Sequence, residues 1–167
     1  MIEIFADCSF RHRKGRCTYT FFDTKYKIFY TTRDYHKIYT TDSATGELKA
    51  ILASIRHAEK LFFNKDDTDF IIYNDDITNI RILQENNMLL LMNRSDQYKY
   101  LAVMIMTIAN DLKQRGANIK FKFANRKSHL IMRYVDNISY DHSKGRLRKE
   151  SVVGNEVEHN GIVLSYF

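Results

Sequence analysis

Residues 2–10 read Ile-Glu-Ile-Phe-Ala-Asp-Cys-Ser-Phe, and the apolar beginning of this stretch predicts the first strand of the fold. Ile2 and Ile4 have the β-branched character of a strand, and Asp7 follows where we expect that strand to end. An ionised carboxylate is costly to bury in a sheet without a partner. Asp7 therefore either begins a turn or lies at the mouth of a site and holds a cation, and we adopt the second interpretation.

The length and composition of the chain are typical of soluble globular proteins. Its 167 residues suffice for one domain with its own core, and 44% of them are hydrophobic while 28% are charged. No apolar run approaches the roughly 20 residues of a membrane span, and no basic leader precedes an apolar run at the start. We therefore expect a cytoplasmic protein with no membrane partner, in which Cys8 and Cys17 are free thiols.

The net charge is +6, which favours a polyanionic partner. Nucleic acid is the simplest such partner for a basic globular domain. No protein partner can be inferred from the sequence.

Hydrophobic periodicity predicts strands first and then alternating helices and strands. Residues 16–23 and 26–32 are rich in β-formers, so with the first strand they predict an antiparallel meander. Apolar residues at three- and four-residue steps predict a long helix over 44–63, which either Asp42 or Ser43 can cap. The other predicted elements are strands over 69–74 and 118–124, helices over 77–84, 98–115 and 130–140, and a last strand or docked tail over 161–167.

This order predicts an α/β fold with a mixed sheet flanked by helices. Sites in such sheets collect at the carboxyl ends of central strands. Asp7 and Asp75 both follow predicted strands, and if those strands are neighbours the two carboxylates face each other. Glu47 on the first long helix and Asp136 on the last helix can then join them.

Four short motifs in this order resemble those of the ribonuclease H family. Phe-Ala-Asp-Cys-Ser at 5–9 is similar to the family's first strand, which ends in Asp-Gly-Ser, and Thr-Gly-Glu-Leu at 45–48 to the segment with its catalytic Glu-Leu. Ile-Tyr-Asn-Asp-Asp at 72–76 is similar to Ile-Tyr-Thr-Asp-Ser, and Met-Arg-Tyr-Val-Asp at 132–136 to Asn-Glu-x-Ala-Asp. The resemblance implies a ribonuclease H-like fold with a five-stranded mixed sheet, in which three antiparallel strands precede parallel strands joined by helices.

The resemblance also implies the site residues. It matches Asp7, Glu47, Asp75 and Asp136 to the catalytic, metal-binding carboxylates, and His129 to a histidine of a mobile loop that helps product release. Asp76 replaces the usual serine, so either Asp75 or Asp76 is left as the ligand. Cys8 stands where the family has glycine, and the Asn-Glu before the last aspartate is missing.

The activity that the resemblance implies is a divalent-metal-dependent endonuclease that cuts the RNA strand of RNA–DNA hybrids and leaves 5′-phosphate ends. Two Mg²⁺ ions would be held by carboxylate oxygens, which suit hard cations, and Mn²⁺ can substitute. In that mechanism Asp7 bridges both ions, Asp75 and Asp136 each hold one side, and Glu47 positions the ion at the leaving group. The alternatives are an inactive nucleic-acid-binding module of the same fold, or a related nuclease acting on another nucleic acid.

Residues flanking the acids are candidates for substrate binding. Basic side chains could contact phosphates, although a solvated run is the commoner role for any one of them: Arg11, Arg13, Lys14, Arg16, Arg126 and Lys127. Polar side chains next to the acids could contact 2′-hydroxyl groups: Ser9, Ser43, Thr45 and Asn74. We expect residues 1–142 to form the domain and residues 143–167 a basic tail packed on it, which could extend the substrate groove.

Overall fold

The structure is a computed structural model that describes residues 1–11, 15–32, 40, 42–143, 151–153, 156–159 and 162–166, with only the main chain described at 11, 16, 142 and beyond 143. The strands are β1 (Ile2–Arg11), β2 (Arg16–Asp23), β3 (Ile28–Thr31), β4 (Asp69–Asn74), β5 (Asn118–Phe123), β6 (Ser151–Val153), β7 (Glu156–His159) and β8 (Ile162–Tyr166). The helices are α1 (Ser43–Lys65), α2 (Ile77–Glu85), α3 (Met88–Met92), α4 (Asp96–Gln114) and α5 (Leu130–Ser143).

The strands form one mixed sheet in the order β5-β4-β1-β2-β3-β8-β7-β6. The first two pairs of the meander, β1 with β2 and β2 with β3, are antiparallel. The pairs β1 with β4 and β4 with β5 are parallel, as crossover helices require. The five-stranded mixed sheet expected from the sequence is therefore present, and β8 extends it by pairing in parallel with β3.

Asp7 lies inside β1 rather than at its end, so the expected strand boundary was wrong. The hairpin with β2 continues from Asp7↔Thr20 to Arg11↔Arg16 and keeps β1 extended. Pairing of β1 with β4, in contrast, runs only as far as Phe5↔Tyr73. Asp7 therefore stands just beyond the point where the two central strands separate.

Helices cover both faces of the sheet because β1 alternates between two apolar clusters. Ile4 packs in the larger cluster with Leu48 and Ile51 of α1. Phe5, the next residue, packs in the smaller cluster with Met132 of α5. Glu47 on α1 and Asp136 on α5 thus reach the sheet from opposite faces. Within the described part of the chain, no helix combines the length and the apolar character that a membrane crossing needs.

Asp42, one of the two predicted caps, begins α1. Its side chain accepts a hydrogen bond of 2.7 Å from the main-chain N–H of Thr45. This bond satisfies one of the unpaired donors at the helix start. It fixes the start of α1, and Glu47 lies just after the first turn.

Candidate metal and catalytic site

Three carboxylates from separate elements converge in the structure. One oxygen each of Asp7 on β1, Glu47 on α1 and Asp75 after β4 lie within 4.8 Å of one another. Asp7 is fully buried, and neither of its side-chain oxygens has a hydrogen-bond partner among the described residues. A buried acceptor pair without donors is unusual in proteins, so this cluster calls for a positive ligand.

Asn74 connects the elements that carry the three acids. Its Nδ2 donates to the main-chain oxygen of Ala6 at 2.9 Å and to Oε2 of Glu47 at 2.8 Å. Its Oδ1 accepts from the main-chain N–H of Asp76 at 3.0 Å. Asn74 therefore holds β1, α1 and the end of β4 together. The sequence signal is a polar residue directly before the Asp-Asp pair, and the structure gives this residue a connecting role in place of the predicted substrate contact.

The structure separates the roles of the two consecutive aspartates. Asp76 is the N-cap of α2, and its side chain accepts from the main-chain N–H of Asn79 at 2.9 Å. Asp75 lies in the carboxylate cluster. Of the two alternatives that the sequence leaves open, this geometry favours Asp75 as the candidate ligand, because the side chain of Asp76 caps α2.

Asp136 stands at the edge of the cluster and is joined to it by Arg126. The guanidinium lies between two acids, with Nη1 at 3.1 Å from an oxygen of Asp136 and Nε at 3.6 Å from an oxygen of Asp75. Arg126, which we expected to contact phosphates, thus pairs with carboxylates in this structure. Its position makes it a counter-charge within the acidic site.

Burial and mutual repulsion alter the acidity of the cluster. Burial raises the pKa of Asp7 well above its usual value, and the nearby Asp75 and Asp136 raise it further. Burial also raises the pKa of Glu47 strongly, with Asp7 and Asp75 adding to the effect. Burial raises the pKa of Asp75 too, although Arg126 opposes that shift. The cluster therefore binds protons tightly unless another cation balances it.

A cavity of about 520 Å³ opens beside these acids. Glu47, Asp75 and Asp136 line it, together with Arg126. Its other described lining residues are Cys8, Ser9, Phe10, Ser43, Asp76, Ile77 and Tyr140. No sequence pattern predicts Phe10, Ile77 and Tyr140 as lining residues, because these are ordinary core or surface residue types.

The four candidate contacts to 2′-hydroxyl groups divide into two pairs. Ser9 and Ser43 line the cavity, and their contact with substrate stays a prediction. Thr45 and Asn74 are fully buried, and the amide of Asn74 is occupied within the protein. The expectation that these two contact substrate does not fit the structure, because neither side chain reaches the surface.

The structure describes the side chains of only some of the candidate phosphate contacts. Lys127 is exposed next to Arg126, so its side chain is accessible to a phosphate group. Arg13 and Lys14 lie outside the described residues, as do the side chains of Arg11 and Arg16.

His129 contacts aromatic rings rather than the acids. Its ring centroid lies 4.8 Å from that of Phe5 and 6.2 Å from that of Tyr73. Its Nδ1 is buried and has no hydrogen-bond partner among the described residues. His129 does not line the cavity beside the acids in this structure, so its role in product release stays a prediction.

Gly46 explains how Cys8 is accommodated where the family motif has glycine. A Cβ atom at Gly46 would lie 2.7 Å from Sγ of Cys8, which is closer than real contacts allow. Both cysteines are buried and free, as expected. The absence of a side chain at Gly46 thus makes room for the side chain of Cys8. Glu47 is the next residue along α1.

The residues present fit a hard divalent cation. They offer oxygen donors from Asp7, Glu47 and Asp75, which Mg²⁺ and Mn²⁺ prefer. The orphaned oxygens of buried Asp7 are independent support, because a bound cation would satisfy them.

The chain has the ribonuclease H fold, in which five adjacent strands of the sheet follow the order 3-2-1-4-5. The chain is similar to RNase H1 from the halophilic archaeon Halobacterium salinarum, with a TM-score of 0.61, 11% identity and coverage of 86% of this chain and 98% of that one. It is also similar to LC11-RNase H1, isolated from compost by a metagenomic approach, with a TM-score of 0.63, 18% identity and coverage of 86% and 97%.

A further structure shows LC11-RNase H1 in complex with an RNA/DNA hybrid, and this chain matches it with a TM-score of 0.58, 16% identity and coverage of 86% and 99%. No protein-family model and no curated protein matches the sequence. The resemblance seen in the four motifs is therefore confirmed at the level of the fold.

Proposed function

We propose that this protein is a divalent-metal-dependent nuclease that hydrolyses the RNA strand of RNA–DNA hybrids. The observation that carries the proposal is the convergence of Asp7, Glu47 and Asp75 beside an open cavity in a ribonuclease H fold. The hybrid bound by a protein of the same fold and the net charge of +6 support this substrate class.

Each acid has a distinct proposed role. Asp7, Glu47 and Asp75 would hold Mg²⁺, or Mn²⁺ in its place, and Asp136 would complete the set from the cavity edge. Two bound ions would activate a water molecule and neutralise the leaving oxygen, so that the phosphate stays on the 5′ side. Asn74 would position the carboxylate of Glu47 through its 2.8 Å hydrogen bond.

The substrate lies next to these acids in the proposal. Ser9 and Ser43 would contact the ribose 2′-hydroxyl groups that distinguish RNA from DNA. Lys127 would contact the backbone phosphates from the exposed loop, and Arg126 would do so on leaving Asp75 and Asp136. His129, at the start of α5, would act at product release.

A substrate panel tests the proposal most directly. Purified protein with Mg²⁺ should cleave RNA–DNA hybrids and leave duplex DNA, duplex RNA and single strands intact. Asp7→Asn should lower the rate at least about a hundredfold, as losses of key electrostatic groups do, while hybrid binding persists. Cleavage of another substrate would indicate a different nuclease of this fold, and an unchanged rate in the variant would exclude the proposed site.

A second candidate function is an inactive nucleic-acid-binding module. The salt bridges of Arg126 with Asp75 and Asp136 favour it, since they balance part of the acidic charge without a metal. Calorimetric titration separates the two functions. Mg²⁺ binding at millimolar concentration supports the nuclease, and absence of binding supports the module.

A further inference from the structure

A second cavity lies on the α1 face of the sheet, beside β2 and β3. Its volume is about 550 Å³. We call it the basic groove, and its described lining residues are Tyr19, Phe21, Tyr30, Lys49, Leu52, Ala53, Arg56, His57, Lys60 and Leu101. Its chemistry differs from that of the acidic site, since no described residue lining it carries a carboxylate.

Aromatic rings from the sheet form one side of the groove. The rings of Phe21 and Tyr30 are stacked, with centroids 4.8 Å apart and planes 14° from parallel. Phe21 is buried, whereas Tyr19 and Tyr30 are half-buried and present ring surface to the groove. A partly exposed ring supported from below is a suitable surface for stacking a nucleobase.

A hydrogen bond between His57 and the buried Asp23 fixes this aromatic side. Nε2 of His57 lies 2.6 Å from Oδ2 of Asp23, whose side chain has no exposed surface. The His57 ring in turn lies 4.7 Å from the ring of Tyr30 and 5.2 Å from that of Phe21. The rings are therefore ordered before any ligand arrives, which lowers the entropic cost of binding.

Cations from α1 form the opposite side. Lys49, Arg56 and Lys60 are spaced by seven and then four residues, so they share one stripe of the helix. At about 1.5 Å of rise per residue this stripe is roughly 17 Å long, which is more than one phosphate group can occupy. The exposed Arg56 and Lys60 lie about 14 and 20 Å along the helix axis from Glu47, well away from the acidic site.

We propose that the basic groove binds a single-stranded segment of nucleic acid. The bases stack on Tyr19 and Tyr30, and the phosphates follow Lys49, Arg56 and Lys60 along α1. Base stacking combined with a line of cations is the usual chemistry of single-strand binding without sequence readout. This site is separate from the acidic cluster, so it would hold a strand outside the cleavage site.

The experiment measures binding alone, in EDTA, so that its outcome does not depend on hydrolysis. A labelled oligothymidylate of about 15 nucleotides is titrated with the full chain and followed by fluorescence anisotropy. The variant Arg56→Gln/Lys60→Gln should weaken binding about tenfold and reduce the salt slope by about 1.4, the value for two phosphate contacts on a single strand. The matched control Lys120→Gln/Lys122→Gln removes the same charge from the exposed face of β5 and should bind as the parent does.

Tyr30 tests the stacking component. Tyr30→Leu should weaken oligothymidylate binding about tenfold. Tyr30→Phe should bind as tightly as the parent, because it keeps the aromatic ring on which a base stacks. Circular dichroism checks that both variants remain folded. Polyglutamate, a polyanion without bases, should bind more weakly than the oligonucleotide and be insensitive to Tyr30→Leu.

Several outcomes would overturn the proposal. Equal losses in the groove variant and the β5 control would mean that general surface charge binds the strand. Equal affinity for polyglutamate would remove the role of the bases, and tighter binding of thymidine monophosphate than of the oligonucleotide would indicate a mononucleotide site. Loss of hybrid hydrolysis in Asp7→Asn tests the acidic site alone and leaves this result unaffected.

Discussion

Asp7 shows how much of this site depends on the environment of single residues. The residue is fully buried, its oxygens lack donors among the described residues, and its pKa is raised by burial and by two neighbouring aspartates. Without a metal, a carboxylate in this position opposes folding once it is ionised, because the loss of hydration and the repulsion by Asp75 and Asp136 outweigh the attraction of Arg126.

Asp7→Asn should therefore change the pH dependence of stability in EDTA. The pKa of Asp7 in the folded state lies above its unfolded value of about 4. Protonation of Asp7 therefore stabilises the fold fully below about pH 4, and this stabilisation is lost as the pH rises through the folded-state pKa. The variant lacks this titration, so at pH 7.5 it should be more stable than the parent by at least about 1 kcal/mol, with the difference vanishing near pH 4. Urea unfolding at a series of pH values measures this difference.

Saturating Mg²⁺ provides the control for this experiment. It should stabilise the parent by mass action and leave Asp7→Asn nearly unchanged, because the cation binds the folded carboxylates. The same pH slope in both proteins would contradict the assignment of the proton to this cluster.

Arg126 should compete with metal, because its guanidinium lies between the carboxylates of Asp75 and Asp136. Arg126→Gln removes this positive charge, and Mg²⁺ affinity measured by calorimetry should rise about three- to tenfold, which corresponds to about 1 kcal/mol. Lys127→Gln is the matched control, since this neighbouring side chain is exposed and outside the cavity lining. An equal rise in both variants would show a general charge effect.

At the residue scale the sequence predicted which acids converge but not how they are held. The local sequence predicts the strand or helix that carries each of Asp7, Glu47 and Asp75. The order of these elements in the fold then brings the three carboxylates together. The division of labour between Asp75 and Asp76 depends on the first turn of α2, and the salt bridges of Arg126 depend on the path of a loop. Neither feature has a local sequence signal.

At the scale of elements, the close approach of α1 to β1 decides where Glu47 lies. Gly46 has no side chain at the point where Sγ of Cys8 meets the helix. Gly46→Ala in a solvated helix would stabilise by about 1 kcal/mol. Here the added Cβ meets a buried sulfur atom, so we expect a loss of about 1–3 kcal/mol in the free energy of unfolding.

Cys8→Ala provides the test of this contact, because it removes the sulfur atom. The double variant Cys8→Ala/Gly46→Ala should recover at least half of the loss seen when Gly46→Ala is made alone, as a double-mutant cycle measured by urea unfolding would show. Strictly additive effects would mean that the two residues do not interact. Hydrolysis should follow the same pattern if Glu47 moves with the helix.

The helices and central strands were predictable because their periodicity is local. The structure places α1 at Ser43–Lys65 and α4 at Asp96–Gln114, close to the predicted ranges of 44–63 and 98–115. The end of β1 was not predictable in this way. A carboxylate usually marks the end of a strand, but here the hairpin with β2 extends to Arg11 and keeps Asp7 within the sheet.

At the scale of the molecule, the main question is what residues 143–167 contribute. Residues 162–166 form β8, which pairs with β3 from Phe29↔Leu164 to Thr31↔Tyr166. The sequence allowed either a last strand or a docked tail, because a strand of five residues has little periodicity of its own. We propose that this segment belongs to the same domain and covers the edge of β3.

Deletion of residues 144–167 tests that proposal. It would leave the N–H and C=O groups of β3 unpaired at a new sheet edge, which favours pairing with another chain. We expect a lower melting temperature and concentration-dependent self-association, measured by circular dichroism and sedimentation velocity. The matched variant Lys144→Gln/Arg146→Gln/Arg148→Gln/Lys149→Gln removes the positive charge and keeps the strands. It should keep the parent's melting temperature and weaken hybrid binding only if the basic run extends the substrate groove. A deletion that stays monomeric and equally stable would show that the edge of β3 needs no cover.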